Sequence, residues 1–115
     1  MKQLSEMKFV DIGKDEPAAA QDQIEGWLAQ LPEWEVLERD SALQLERAFK
    51  FENFAEALGF TNRVGQLAEE KNHHPTLMTE WGKVTVTWWT HSVGGLHRND
   101  FVMAAKTDGL YEEQA

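Results

Sequence analysis

A chain of 115 residues, 42% apolar and 27% charged, has the size and composition of one globular domain able to bury a core of its own. Twenty acidic against eleven basic residues leave a net charge of −9, which repels phosphate backbones and argues against direct nucleic-acid binding; a small neutral or cationic ligand is easier to reconcile. The lack of cysteine excludes disulfides, thiolate metal sites and a cysteine nucleophile, no apolar run is long enough to span a bilayer, and Met1 to Phe9 lacks the apolar stretch of a secretory signal, so a soluble cytoplasmic protein is expected.

Residues 1–16 show no sustained periodicity and end in Lys14-Asp15-Glu16 before Pro17, which predicts a polar N-terminal tail followed by a single domain over 17–115. From Ala18, the positions Ile24, Trp27, Leu28 and Leu31 share one helix face, and Pro32 stops that helix. Trp34 and Val36 alternate with Glu35, and after the Arg39-Asp40-Ser41 turn signal Leu43, Leu45, Arg47, Phe49 and Phe51 occupy every second position, predicting two antiparallel strands. Arg47 is the odd member: either it lies at a sheet margin with its stem on apolar surface, or the strand changes face there.

Asn53 and Glu56 have capping-box spacing, and Phe54, Ala57, Leu58, Thr61, Val64 and Ala68 continue at helical period. Phe60 and Leu67 widen the apolar surface of this helix, as expected if its own sheet covers one side and another subunit a second. The helix ends near Asn72, because the residue before Pro75 is pushed into extended backbone. Leu77 to Trp81 and Lys83 to His91 predict a second strand pair about Gly82, and Gly94-Gly95 marks a loop. A last helical segment from about Leu96 carries Phe101, Ala104 and Ala105, with Gly109 where a helix would end. The order α-β-β-α-β-β-α predicts an α+β fold, a four-stranded antiparallel sheet with helices packed on one face.

His73, His74 and His91 fall at the ends of elements, where a rigid scaffold commonly holds binding groups, and imidazole gives or takes a proton near neutrality. The bland alternative is that loop histidines are merely solvated. A three-histidine metal site is the sharper rival, although adjacent His73 and His74 make awkward joint ligands. Glu69, one turn before His73, is placed to orient a histidine, with a solvated helix end as the competing account. Asp100 is expected to serve a helix N-terminus first. Trp88 and Trp89 point to opposite sheet faces, and His91 shares the face of Trp89 in a regular strand, so Trp89 and, from the other strand pair, Trp34 are the aromatics expected beside a ring-shaped ligand.

The run Glu69-Glu70-Lys71-Asn72-His73-His74-Pro75, then Trp81, Thr90-His91, Gly95-Leu96 and Asp100, closely resembles the signature of pterin-4a-carbinolamine dehydratases, with similarity extending from about Ala18 to Gly109. The resemblance implies a hydro-lyase that converts 4a-hydroxytetrahydropterin to quinonoid dihydropterin and water by histidine acid–base catalysis, with no metal or cofactor, in recycling the cofactor of aromatic amino-acid hydroxylases. It implies His73 and His91 as acids at the departing hydroxyl, His74 as a ring-binding group that assists proton removal, and Glu69 as their orienting carboxylate. Trp34 and Trp89 would border the pocket, with Asn72, Thr90 and Ser92 as neighbouring polar contacts. It also implies a homodimer or homotetramer built by sheet extension and packing of the long helix.

The chain departs from some relatives in its first 16 residues and at Thr76-Leu77, neither of which includes a proton-transfer group. The rival of a different class is a binding protein, since some relatives serve as transcription-factor dimerisation cofactors or assembly factors. A metal-dependent enzyme is the third alternative.

Overall fold

The computed structural model describes residues 3–10, 12 and 16–113. Seven elements follow in the expected order: α1 (Gln21–Leu28), β1 (Glu35–Arg39), β2 (Ala42–Lys50), α2 (Phe54–Lys71), β3 (Thr76–Glu80), β4 (Lys83–Trp88) and α3 (Arg98–Glu113). The strands form one antiparallel sheet in the order β1-β2-β4-β3, so two local hairpins are joined through their inner strands.

Strand alternation sorts the sheet into two unlike faces. Leu45, Phe49, Val84, Val86 and Trp88 are fully buried under the helices. Gln44, Glu46 and Thr87 occupy the alternate positions, where Glu46 pairs with Arg39 at 2.7 Å and accepts from Thr87 Oγ1 at 2.8 Å. An antiparallel sheet with one apolar and one polar face needs cover on the first only. That cover comes from α2, through Ala57, Phe60, Val64 and Ala68, and from α3, with α1 reaching α3 through Trp27 and Phe101, whose rings are 5.2 Å apart.

Both hairpin turns are local in origin. Asp40 and Ser41 take φ of 53° and 65°, the left-handed pair that a two-residue connection requires. In the second, Gly82 has φ 76°, and a Cβ there would sit 3.1 Å from the Phe51 carbonyl, so the position needs glycine on two counts. Asn53 caps α2 by accepting from the Glu56 N–H at 2.8 Å; the Glu56 carboxylate reaches back one residue further than in a standard box, to the Glu52 N–H at 3.3 Å.

Several sequence-based boundaries shift. Arg47 lies on an inner strand and does not change face: its guanidinium sits 4.3 Å from the Phe49 ring centroid and pairs with Asp108 of α3 at 2.7 Å, so helix packing rather than a sheet margin accommodates it. β4 ends at Trp88, not His91, because an isolated Thr90–Gly95 bridge pinches residues 91–94 into a 3₁₀ turn closed by Gly94 at φ 68°. α3 runs through Gly109 to Glu113, since packing of its buried face outweighs the modest helix cost of one glycine.

Of the leading segment, residues 1, 2, 11 and 13–15 lie outside the described residues. Its described part is docked: Leu4, in a 3₁₀ turn, is 2% exposed and joins the core cluster, with Met7 and Phe9 packed against it. No helix among the described residues is long and apolar enough to cross a membrane.

Candidate active site

The end of α2 decides where two adjacent histidines go. Asn72 adopts left-handed backbone at φ 50°, and the His73 N–H bonds back to the Ala68 carbonyl at 3.1 Å, a Schellman-type closure that reverses the chain. The reversal drives His73 inward, to 8% exposure, and leaves the His74 side chain outside at 55%. Pro75 then sends the chain into β3.

Each of the two histidines meets its own carboxylate. His73 Nε2 lies 2.7 Å from Asp100 Oδ1, and His74 Nε2 lies 2.6 Å from Glu69 Oε2. The expectation that Glu69 orients a histidine therefore falls on His74, and the carboxylate of His73 comes from the far end of the chain. Asp100 is wholly buried and accepts three hydrogen bonds: from His73, from Thr90 Oγ1 at 2.8 Å and from the His97 backbone N–H at 2.9 Å. Three donors offset the removal of a carboxylate from water. The last of these bonds caps α3, as expected of an acid in a first helical turn, while the other oxygen holds an imidazole. The appearance of Asp100 in the shared signature was the sequence signal for this second task.

With Nε2 committed to a carboxylate, Nδ1 is the free nitrogen of His73, and among the described residues it makes no hydrogen bond. A carboxylate on one ring nitrogen fixes the tautomer and orients the ring. His74, held by Glu69, has the same arrangement in an exposed setting.

Trp88, which the sequence reading set aside, lies parallel to the His73 ring, with centroids 5.7 Å apart and planes within 5°. Trp89 is half-buried with its ring 4.6 Å from His91; the regular strand ends at Trp88, so the 3₁₀ turn and not strand alternation brings the two together. His91 itself is exposed at the start of the 3₁₀ turn, one residue after Thr90, so Asp100 ties the His91 segment to His73. Thr90 is 4% exposed, and its hydroxyl is committed to Asp100 rather than directed to solvent. Asn72 serves as the helix cap, and Ser92 is exposed in the 3₁₀ turn. Trp34 is 4% exposed, edge-on to Phe49 of β2, with its indole N–H donated to Asp108 at 2.9 Å, toward the end of α3 opposite Asp100. No group of three His, Asp or Glu side chains suited to holding a metal ion occurs among the described residues.

A sequence model of the pterin 4 alpha carbinolamine dehydratases matches residues 17–110. The chain belongs to that family. Two bacterial proteins provisionally named as pterin-4-alpha-carbinolamine dehydratases are each 53% identical to it: one from Chlorobium limicola, aligned over 97% of this chain and 99% of the relative, and one from Nitrosococcus oceani, over 96% and 97%. A crystal structure described as a transcriptional coactivator/pterin dehydratase from Brucella melitensis superposes with a TM-score of 0.73 at 30% identity, covering 81% of this chain and 97% of that one. Among the residues of the family signature, the structure pairs Asp100 with His73 and Glu69 with His74.

Proposed function

We propose that this protein dehydrates 4a-hydroxytetrahydropterin to quinonoid dihydropterin and water by histidine acid–base catalysis. The observation that carries the reading is His73, a near-buried imidazole fixed by the buried Asp100 with Nδ1 free, in a chain that matches the dehydratase family over 17–110. The reaction breaks one C–O bond and one N–H bond: a proton goes to the departing hydroxyl, which leaves as water, and a ring nitrogen loses its proton as the C=N bond forms. Nothing is oxidised, so proton donors and acceptors of suitable basicity are sufficient.

His73 and His91 act as acids at the hydroxyl, and His74, steadied by Glu69, binds the ring and assists proton removal. Trp89 supports His91 and offers an apolar wall to the heterocycle, with Asn72, Thr90 and Ser92 in the surroundings, whereas Trp34 packs at the other end of α3. The protein works in the cytoplasm as a homodimer or homotetramer, recycling tetrahydropterin for an aromatic amino-acid hydroxylase. The partly apolar exposed positions of α2, Phe54 at 45% and Leu58 at 44%, support the oligomer.

The test is the ultraviolet change on dehydration of freshly generated 4a-hydroxytetrahydropterin, with chelator present and against the uncatalysed background. Acceleration that persists in chelator and is lost in His73→Ala is the expected result. No acceleration by folded protein would overturn the reading and favour a binding role, such as the coactivator named for the Brucella melitensis relative.

A further inference from the structure

The segment ahead of the family-matched region is bound, point by point, to the residues that lead into Asp100. The Ala19 N–H donates to the Leu96 carbonyl at 2.7 Å. The Glu16 carboxylate meets His97 Nε2 at 3.0 Å. Arg98 Nη2 donates to the Lys8 carbonyl at 3.1 Å. The Asn99 side chain takes both backbone groups of Val10, accepting from its N–H at 3.1 Å and donating to its carbonyl at 2.6 Å, the two-bond pattern of a strand neighbour. Three consecutive residues, 97 to 99, thus each hold a different point of the leading segment, while Leu96 holds Ala19 just inside the matched region.

His97 is held in this clasp by both ring nitrogens. Its Nδ1 accepts from the Asn99 N–H at 2.9 Å, so the hydrogen resides on Nε2, facing Glu16. Further back, Leu4 anchors the segment to the core, with its N–H donated to the Gln30 side chain at 2.9 Å.

Phe9 lies between the two clamped residues Lys8 and Val10. Its ring packs against His73, with centroids 5.6 Å apart and planes inclined by 59°. Among the described residues, the His73 ring therefore has one hydrogen bond, to Asp100, and two aromatic contacts, Trp88 from the sheet and Phe9 from the leading segment. A single hydrogen bond at Nε2 leaves the ring free to swing about that contact, and flanking rings restrict the swing.

We propose that Phe9 is a positioning residue that packs against the ring of His73 and holds its free Nδ1 toward the substrate. The inference rests on the assignment of His73 as a proton-transfer group in the dehydration. Proton transfer depends steeply on donor placement, so loss of this contact acts on the chemical step more than on substrate binding.

Three full-length variants test it: Phe9→Ala, Phe9→Leu and, as a control whose exposed side chain takes no part in the clamp, Lys8→Ala. Phe9→Ala is expected to lower kcat by about 10-fold with KM close to wild type while the protein remains folded by circular dichroism. Phe9→Leu restores most of kcat by refilling the contact, and Lys8→Ala matches wild type. By NMR, the His73 ring nitrogens report one ordered tautomer in wild type and Phe9→Leu, and averaged signals in Phe9→Ala. A folded Phe9→Ala with wild-type kcat and an unchanged His73 signature would overturn the proposal, as would a loss of activity that only tracks unfolding. Should the wild-type protein fail to dehydrate the carbinolamine, the functional assignment fails, and the His73 signature still decides whether Phe9 orders that ring.

Discussion

Two aspartates on α3, Asp100 and Asp108, hold the two ends of this molecule together in different chemical terms. Asp100 is wholly buried and binds an imidazole, a threonine hydroxyl and a backbone amide. Asp108, two turns later and partly exposed, binds the Trp34 indole N–H and the Arg47 guanidinium through the same oxygen. Burial pushes the Asp108 carboxyl above its ordinary value, against the opposing pull of the Trp34 hydrogen bond and the Arg47 charge. Guanidinium stays charged at any working pH, so the Asp108 pair has no proton to pass on and serves the packing of α3 on β2. Imidazole exchanges its proton near neutrality, so the same side-chain type eight residues earlier becomes part of a site.

Substitution by asparagine should separate the two most sharply. Asp100→Asn presents an amide to His73, which reverses the favoured tautomer and leaves imidazolium without its counter-charge; kcat for the carbinolamine is expected to fall about 10²- to 10⁴-fold, measured by steady-state dehydration. Asp108→Asn should leave kcat near wild type and lower unfolding free energy by about 1 kcal/mol, read from urea denaturation, because an amide oxygen accepts more weakly from Trp34 and Arg47. Equal effects of the two changes on kcat would end the distinction.

The pH dependence of stability sharpens it further. A carboxyl whose folded pKa is raised binds its proton more tightly in the folded state, so the stability it contributes is full at low pH and declines as pH rises through the raised value. The advantage of wild type over Asp108→Asn should therefore shrink from acid toward neutral pH. Glu46, on the polar sheet face, gives the opposite sign: the hydrogen bond from Arg39 lowers its pKa, so its contribution over Glu46→Gln is present above the ordinary glutamate value and is lost as pH falls through the lowered one. In urea unfolding from acid to neutral pH, the gap to wild type should close toward neutral pH for Asp108→Asn and toward acid pH for Glu46→Gln.

The smallest effect is expected at Gly109, next to Asp108 and inside α3, where an added Cβ meets nothing within 4 Å and φ is not positive. Gly109→Ala should raise unfolding free energy by roughly 0.5–1 kcal/mol through helix propensity alone, measured by chemical denaturation, with activity unchanged. The histidine end should not respond to it.

Periodicity and turn chemistry made the elements legible from the sequence, because amphipathic faces, the Asn53 cap, the Asp40-Ser41 turn and the break before Pro75 are all local in origin. The His73-His74-Pro75 run was legible as a motif, whereas the Trp89–His91 contact is made at a 3₁₀ turn and not along the regular strand that residue spacing assumes. The contacts decided by tertiary structure join residues far apart in the chain: Asp100 to His73, Trp88 to the same ring, Arg47 to Asp108, and Asn99 to Val10. Local spacing fixes which face of its own element a side chain takes, and only the packing of α3 and the leading segment around the end of α2 sets which of two adjacent histidines is buried and which carboxylate it meets.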